Sequence, residues 1–459
     1  VLLVSAHGDR RQVALKKALE KRGAVVRVCD DLTTRQPSSW DELVTDGEGR
    51  TSDDIFVLIS ENENWSVTSI SAQSEAIFFL ARALARKAEE LQNKTFVVLG
   101  RSRGVLSYGE LSAQNLLLGG AAGIVKSIAK EWQCRTLAID LDFSLSIDDA
   151  FEMAMNEWLS DGPQEIGYLK GKRYTLEAGE NVVLESKALP ENTLVVATGG
   201  ARGVTFRILL ELAKRRPFRL IILGRTRAMA QEDSPLGNLN VSEQKDLARA
   251  SLLSAGEKAT PVNIRRWLEK EEQRLVVSNN IDALHKLGCE VETAICDVSR
   301  RDEVKDTVET ITKRYGRVDI LLHGAGVEES KLIQDKDDRA FARVFAPKGQ
   351  AALALWEELQ PRRMICMGSV PGRFGNAAQA DYAAANNVMS ALAGDGETNV
   401  LNIAWTAWGD VGMATRGSIQ KVLEEAGVQL LPVEIGARMG ADLVAGDTVG
   451  EVVVAGELG

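Results

Sequence analysis

The stretch "LVVATGGARGVTFRILLELAKRRPFRLIILGRT" (194–226) leaves this chain little choice of fold. An apolar strand runs into a glycine-rich turn, a helix follows, and a second apolar strand comes after it. Such a succession forms a parallel βαβ unit. The turn "TGGARGVT" (198–205) lies where the first strand ends and the helix begins. Glycines there let the backbone turn tightly and approach a pyrophosphate, and the helix N-terminus favours its negative charge. An ordinary strand-to-helix turn is the competing reading. The strand–turn–helix context and the motifs downstream favour a nucleotide site. The contacts expected from this turn are Thr198, Gly199, Gly200, Arg202, Gly203 and Val204.

The second strand ends "LIILGRT", with Gly224, Arg225 and Thr226 where the adenosine ribose would lie. An NAD enzyme places Asp or Glu there to hold the 2′-hydroxyl. Here there is no acid, and Arg225 is joined by Arg202 from the turn. Guanidinium groups form charge-assisted, often bidentate bonds to phosphate. The cofactor expected is therefore NADPH. A solvated surface charge is the alternative for either arginine taken alone.

Alternating apolar strands and amphipathic helices continue along all 459 residues, which predicts an α/β fold with parallel sheets. The reading divides into two Rossmann-like, doubly wound subdomains, 1–189 and 190–459. The first is truncated: at "SAHGDRRQ", where a phosphate loop would lie, it has a single glycine. A scaffold is expected of it rather than a second nucleotide site, covering a sheet edge and holding the other half in place. The polar, charge-rich segment at about 227–280 reads as an insertion, partly helical, leading into the next helix. A docking surface and a solvated helical excursion are both open for it. The chain begins on Val, as a piece of a longer polypeptide would, and its opening lacks the basic start and long apolar run of a signal peptide.

Composition excludes several classes of function. A net charge of −10 argues against nucleic acid as a partner. No run of 18 apolar residues is present, so no membrane span is expected. Five dispersed cysteines without a CxxC pattern suit a reducing compartment, and a cytoplasmic location is expected. Three isolated histidines make a His-based metal site unexpected.

The remaining motifs, in chain order, are "CDVS" (296–299), "HGAG" (323–326), "VFAPKGQAALAL" (344–355), Ser369 and "QADYAAANN" (379–387). This order resembles short-chain dehydrogenases, in the form of the ketoreductase domains of modular polyketide synthases and related fatty-acid synthases. "GGAAGIVKSIAKEWQ" and "LAIDLD" in the first half resemble the cofactor-free structural subdomain of such proteins. "TGGARGVT" and the long insertion look most like the ketoreductases of polyunsaturated-fatty-acid synthases. The resemblance implies further cofactor contacts from Asp297, Val298, Gly324, Ala325 and Gly326.

In ordinary short-chain dehydrogenases a lysine stands four residues after the tyrosine, where this chain has Asn386 after Tyr382. The resemblance implies that Lys and Asn have exchanged places, the lysine being Lys348 of "APKGQ". It assigns Tyr382 as general acid and Ser369 as the hydrogen-bond donor to the substrate carbonyl. Lys348 would contact the cofactor and draw the Tyr382 pKa, ordinarily near 10, toward working pH; Tyr382 too would lie against the cofactor. Asn386 would fix a proton-relaying water.

Four departures from the family pattern stand out. Thr205 takes the place of a third glycine, and Gly324 stands where relatives often have Ala. The loop "VEESKL" (327–332) lacks the Leu-Asp-Asp of one stereochemical class, and Phe374 stands where the other often has Trp. Neither alcohol configuration is assigned. The function expected is reduction of a β-ketoacyl thioester on an acyl carrier protein, alongside neighbouring synthase domains. An inactive structural domain and a free-standing ketone reductase are the alternatives.

Overall fold

Two seven-stranded sheets organise the computed structural model, one in each half of the chain. It describes the chain apart from residues 33–38, 46–50, 62–65, 88–90, 107, 180–183, 228–234, 237–238, 410, 412–426 and 457–459. Parts of the insertion, and of the segment "NIAWTAWGDVGMA" (402–414) that also resembles these ketoreductases, fall among these and lie outside the described residues.

In the first half, β1 (Leu2–Val4), β2 (Arg27–Cys29), β3 (Asp54–Leu58), β4 (Thr95–Ser102), β5 (Arg135–Asp142), β6 (Glu165–Leu169) and β7 (Lys172–Tyr174) are ordered β2-β1-β3-β4-β5-β6-β7. All ladders are parallel except the closing hairpin of β6 and β7. Its helices are α1 (Arg11–Glu20), α2 (Trp40–Leu43), α3 (Val67–Lys87), α4 (Ala113–Trp132) and α5 (Ile147–Leu159). The Ser112 side chain starts α4 by accepting the N–H of Asn115.

The second half carries β8 (Leu194–Thr198), α6 (Gly203–Arg215) and β9 (Arg219–Gly224), the βαβ unit expected from the sequence. Two helices follow, α7 (Val241–Ser254) and α8 (Pro261–Lys286). An Asn240–Glu243 capping box begins α7, and Thr260 with Pro261 begins α8. Then come β10 (Glu290–Ile295), α9 (Arg301–Tyr315), β11 (Ile320–His323), α10 (Ala340–Phe345), α11 (Ala351–Leu359), β12 (Arg363–Ser369), α12 (Val370–Phe374), α13 (Ala380–Ala393), β13 (Val400–Trp405), α14 (Val433–Ala445) and β14 (Gly450–Val454). Strand order is β10-β9-β8-β11-β12-β13-β14, parallel throughout. Two strands lie beyond β8 on the β9 side. Among the described residues, only one lies beyond β1 in the first sheet, which is where the first half is shorter.

The halves share one core. A continuous apolar cluster joins Ile77, Phe78, Leu117 and Ala121 of α3 and α4 to Phe341, Ala384 and Val388 of α10 and α13. Separate clusters fill the outer faces of the two sheets. Small residues bring α4 and α13 together. A Cβ on Gly123 would lie 2.5 Å from the Ala383 carbonyl, and one on Gly119 would lie 2.8 Å from Ala391 Cβ. The first half was expected to cover a sheet edge. Among the described residues it pairs no strand with the second sheet and packs instead against the helix that carries Tyr382. No described helix is long and apolar enough to cross a membrane.

Candidate active site

The C-terminal ends of β8, β9, β11 and β12 open onto one cleft of about 1370 Å³. Ligands of open α/β sheets bind at this end, where the strand order reverses. The turn after β8 forms one wall. Gly199 holds a left-handed φ of +66°, and a Cβ there would come within 2.9 Å of the Gly324 carbonyl. A Cβ on Gly203 or Gly224 would meet no atom within 4 Å, so bare backbone faces open space at the α6 N-terminus and the β9 end. Gly199, Arg202, Gly203, Val204, Gly224, Arg225, Thr226, Asp297, Val298, Gly324, Ala325 and Gly326 all lie on the wall. This cradle, with α6 pointing its N-terminus into it, fits a dinucleotide pyrophosphate. Arg225 is 70% exposed and lies 3.9 Å from Asp297. Burial would raise the Asp297 carboxyl, but hydrogen bonds from Ser299 and the charges of Arg225 and Arg300 hold it below the usual range.

Two residues assigned to the cofactor do not reach the wall. A Cβ on Gly200 would lie 2.8 Å from Ala197 Cβ, so that glycine serves packing between the turn and β8. Thr198 is fully buried, and its hydroxyl accepts the N–H groups of Gly324 at 3.2 Å and Ala325 at 3.0 Å. With its acceptor side engaged, the hydroxyl donates to His323 Nδ1 at 2.9 Å. The other ring nitrogen, Nε2–H, then donates to the Lys348 carbonyl at 3.0 Å. Burial, aided by the Lys348 charge, holds His323 neutral, pushed down to about 3. This chain of bonds fixes the backbone of Lys348 and was not read from the sequence.

Lys348 lies in a widened π turn (Ala346–Gln350) between α10 and α11, where Pro347 has no N–H to give the helix. Its amine donates to the Met367 carbonyl at 2.8 Å and stands 5.2 Å from the centre of the Tyr382 ring. Burial lowers its pKa to about 8. Lys348, Ser369 and Tyr382 share the cleft wall although the first two lie 34 and 13 residues before the third. The Ser369 hydroxyl, at the end of β12, shares the cleft wall with Tyr382 and donates to the Trp405 carbonyl at 3.3 Å.

The phenol departs from expectation. Burial pushes Tyr382 up to about 12, and the charge of Glu328 adds to the rise. The neighbouring Ser369 and Asn386 side chains oppose it. Lys348 was expected to draw this pKa down, but its ammonium bonds a backbone carbonyl and lies over the ring. Asn386 does not line the cleft; its Nδ2 donates to the Tyr382 carbonyl at 2.8 Å, and its buried Oδ1 has no partner among the described residues.

Sequence reasoning missed several contributors to the wall. Gln273 and Val277 come from α8, whose Asn280 also donates to the Ala201 carbonyl at 2.8 Å. The insertion therefore abuts the phosphate turn, and the boundary expected at 280 falls inside one unbroken helix. The Thr260-Pro261 start was the signal that could have placed it. Lys130 reaches the wall from the first half, and Glu328 stands near Tyr382 from the loop after β11.

Residues 193–410 match the family model of the KR domain. A polyunsaturated fatty acid synthase protein of a Thraustochytrium species is 27% identical over 389 residues, 78% of this chain and 14% of that protein. Polyketide synthase PksM of Bacillus subtilis is 26% identical over 324 residues, 68% of this chain and 6% of that protein. The chain thus spans a small part of the curated relatives it matches. An N-terminal ketoreductase from a macrolactin assembly line superposes with a TM-score of 0.71 at 18% identity, covering 98% of this chain and 86% of that one. An A1-type ketoreductase gives 0.71 at 20%, covering 99% and 88%. Both share the two-sheet fold.

Proposed function

We propose that this chain, which carries a KR domain of the short-chain dehydrogenase/reductase type, reduces a β-ketoacyl thioester on an acyl carrier protein to the β-hydroxyacyl thioester, with NADPH as its cofactor. It would do so beside neighbouring domains of a polyketide or polyunsaturated fatty acid synthase. The observation that carries this reading is the gathering of Lys348, Ser369 and Tyr382 on one wall of a cleft whose far end holds Arg202 and Arg225.

NADPH, when bound, supplies the hydride to the carbonyl carbon. The glycine-lined turn and the α6 N-terminus would hold the pyrophosphate, and Arg202 and Arg225 the 2′-phosphate. Ser369 and Tyr382, together on the cleft wall, present two hydroxyls to a ketone oxygen. Burial keeps the phenol protonated at neutral pH, so Tyr382 stands ready to give its proton to that oxygen. The Lys348 ammonium, held over the ring by the Met367 carbonyl, would contact the cofactor ribose and turn to the phenolate only as it forms. It titrates at about 8, so reduction is expected to weaken as pH rises through that value.

NADPH oxidation with a short β-ketoacyl thioester tests the reading. Tyr382→Phe should lower turnover by about 10²–10⁴-fold while NADPH still binds. Arg225→Ala should raise the KM for NADPH about ten- to a hundredfold and leave NADH unaffected. Failure of the wild type to consume NADPH with such thioesters would overturn the activity, and an equal effect of Arg225→Ala on both cofactors would overturn the cofactor assignment.

A further inference from the structure

Two loops border Tyr382 on the side of the cleft away from the arginines. One follows β11 and contributes Glu328 and Ser330 to the wall; the other joins α12 to α13 and contributes Ala378 and Gln379. A single carboxylate from the other half of the chain holds both. Glu131, in the last turn of α4, accepts the Ile333 N–H on Oε2 at 2.8 Å and the Ala378 N–H on Oε1 at 2.8 Å. The loops are also tied to each other, through Lys331 N–H to the Ala378 carbonyl at 3.0 Å and Gln379 Nε2 to Glu328 at 3.0 Å. Next to Glu131 on α4, Ser127 accepts the Asn376 N–H at 3.2 Å.

Ala378 shows that the hold is not incidental. Its φ is +66°, a left-handed conformation that alanine rarely adopts. Backbone in such a region persists only where its surroundings over-determine it. Here they do so from both sides of the residue, its N–H bonded to Glu131 and its carbonyl to Lys331. The position of these loops is felt at the reacting group, because the Glu328 charge raises the Tyr382 pKa.

We propose that Glu131 is a positioning residue for the ketone substrate. By holding both loops in one register it sets how the acyl chain enters beside Tyr382, and so which face of the carbonyl is presented. It touches no reacting atom and acts through Ile333 and Ala378. The kinetic part of this inference rests on the reductase reading; the structural part does not.

Glu131→Gln tests it. The amide keeps the side chain's shape but turns an NH₂ toward one of the two backbone N–H groups, so one hold is lost. Amide hydrogen exchange at Ile333 and Ala378 should speed by about tenfold or more, while that of the phosphate turn stays unchanged. The KM for a β-ketoacyl thioester should rise by a similar factor, about tenfold, and the ratio of alcohol enantiomers should shift. NADPH binding should hold steady. Adding Ala378→Gly should recover much of the KM, because glycine adopts the left-handed conformation without being held there. A residue serving only general stability would not be rescued in this way.

Unchanged exchange and KM in Glu131→Gln would overturn the proposal. So would global unfolding, or an equal loss of substrate and NADPH binding. If the wild type reduced no thioester, the reductase reading would fall, and the exchange measurement would still decide whether Glu131 holds the loops.

Discussion

Gly324 and Thr205 lie 119 residues apart, yet the Thr205 hydroxyl fills the space that a Cβ on Gly324 would enter, at 2.0 Å. Each looked in the sequence like a separate departure from the family pattern. In the fold they are one exchange: the side chain lost at one position is supplied at the other. Gly324→Ala alone should overpack this contact, costing about 1–3 kcal/mol and weakening NADPH binding, since Gly324 lies on the cofactor wall. Thr205→Gly in the same chain should relieve the clash, less about 1 kcal/mol for a glycine inside α6. Thermal unfolding of the two single variants and the double gives the coupling directly, and additive losses would mean the two sites are independent. Tyr382 could be found from local spacing, and Arg225 from strand-end chemistry. The Thr198–His323–Lys348 chain of bonds could not, because it joins three segments that only the sheet brings together.

The alanine-rich "DYAAANN" and the glycine-rich "LGGAAG" are two sides of one helix contact. Small residues in both segments permit a close helix contact, but sequence pattern carries no record of which helix faces which. Pairing α4 with α13 needs the sheet order, and that is set by non-local ladders. The same limit hid the insertion's part in the site. Its helical content was legible from polarity and length, whereas the approach of Asn280 to Ala201 follows from the packing of α8 beside α6 as it leads into β10. Gly123→Ala is the sharpest probe of the helix contact. Its Cβ would fall 2.5 Å from the Ala383 carbonyl, a backbone atom that cannot swing aside. Relief requires α13 to move, and Tyr382 is the residue before Ala383. Stability should fall by about 1–3 kcal/mol, and turnover should fall more than NADPH affinity. An unchanged turnover in a destabilised protein would mean that Tyr382 is positioned by its own half alone.

For the whole molecule, the question is whether residues 190–459 could work without 1–189. The expectation of a scaffold came from what the first half lacks, and the structure adds what it contributes. Arg82 donates to the Lys336 carbonyl at 3.1 Å and to Asp338 at 2.7 Å, Arg86 donates to the Gln334 carbonyl at 2.8 Å, and Glu131 holds Ile333 and Ala378. Phe78 packs on Phe341 at 5.2 Å between ring centres. Across the same boundary, Glu165, itself paired with Lys126 at 3.0 Å within the first half, pairs with Arg373, which also bonds Glu451 at 2.9 Å. Removing the first half leaves Arg373 and Glu451 with each other and returns them to water, so the ion cluster is not where the cost lies. The cost lies in the face of α10 and α13, where Phe341, Ala384 and Val388 would lose their apolar cover, and in the two substrate loops, which would lose every hold from α3 and α4. Residues 190–459 expressed alone should therefore aggregate or show weak reduction with a raised thioester KM, and supplying 1–189 as a separate chain should restore both solubility and rate. The phosphate turn, built wholly within the second half, should still bind NADPH in whatever fraction remains soluble. A monodisperse second half with full activity would show instead that α13 and its loops need no outside cover, and the first half would then have to be explained by some role other than a scaffold.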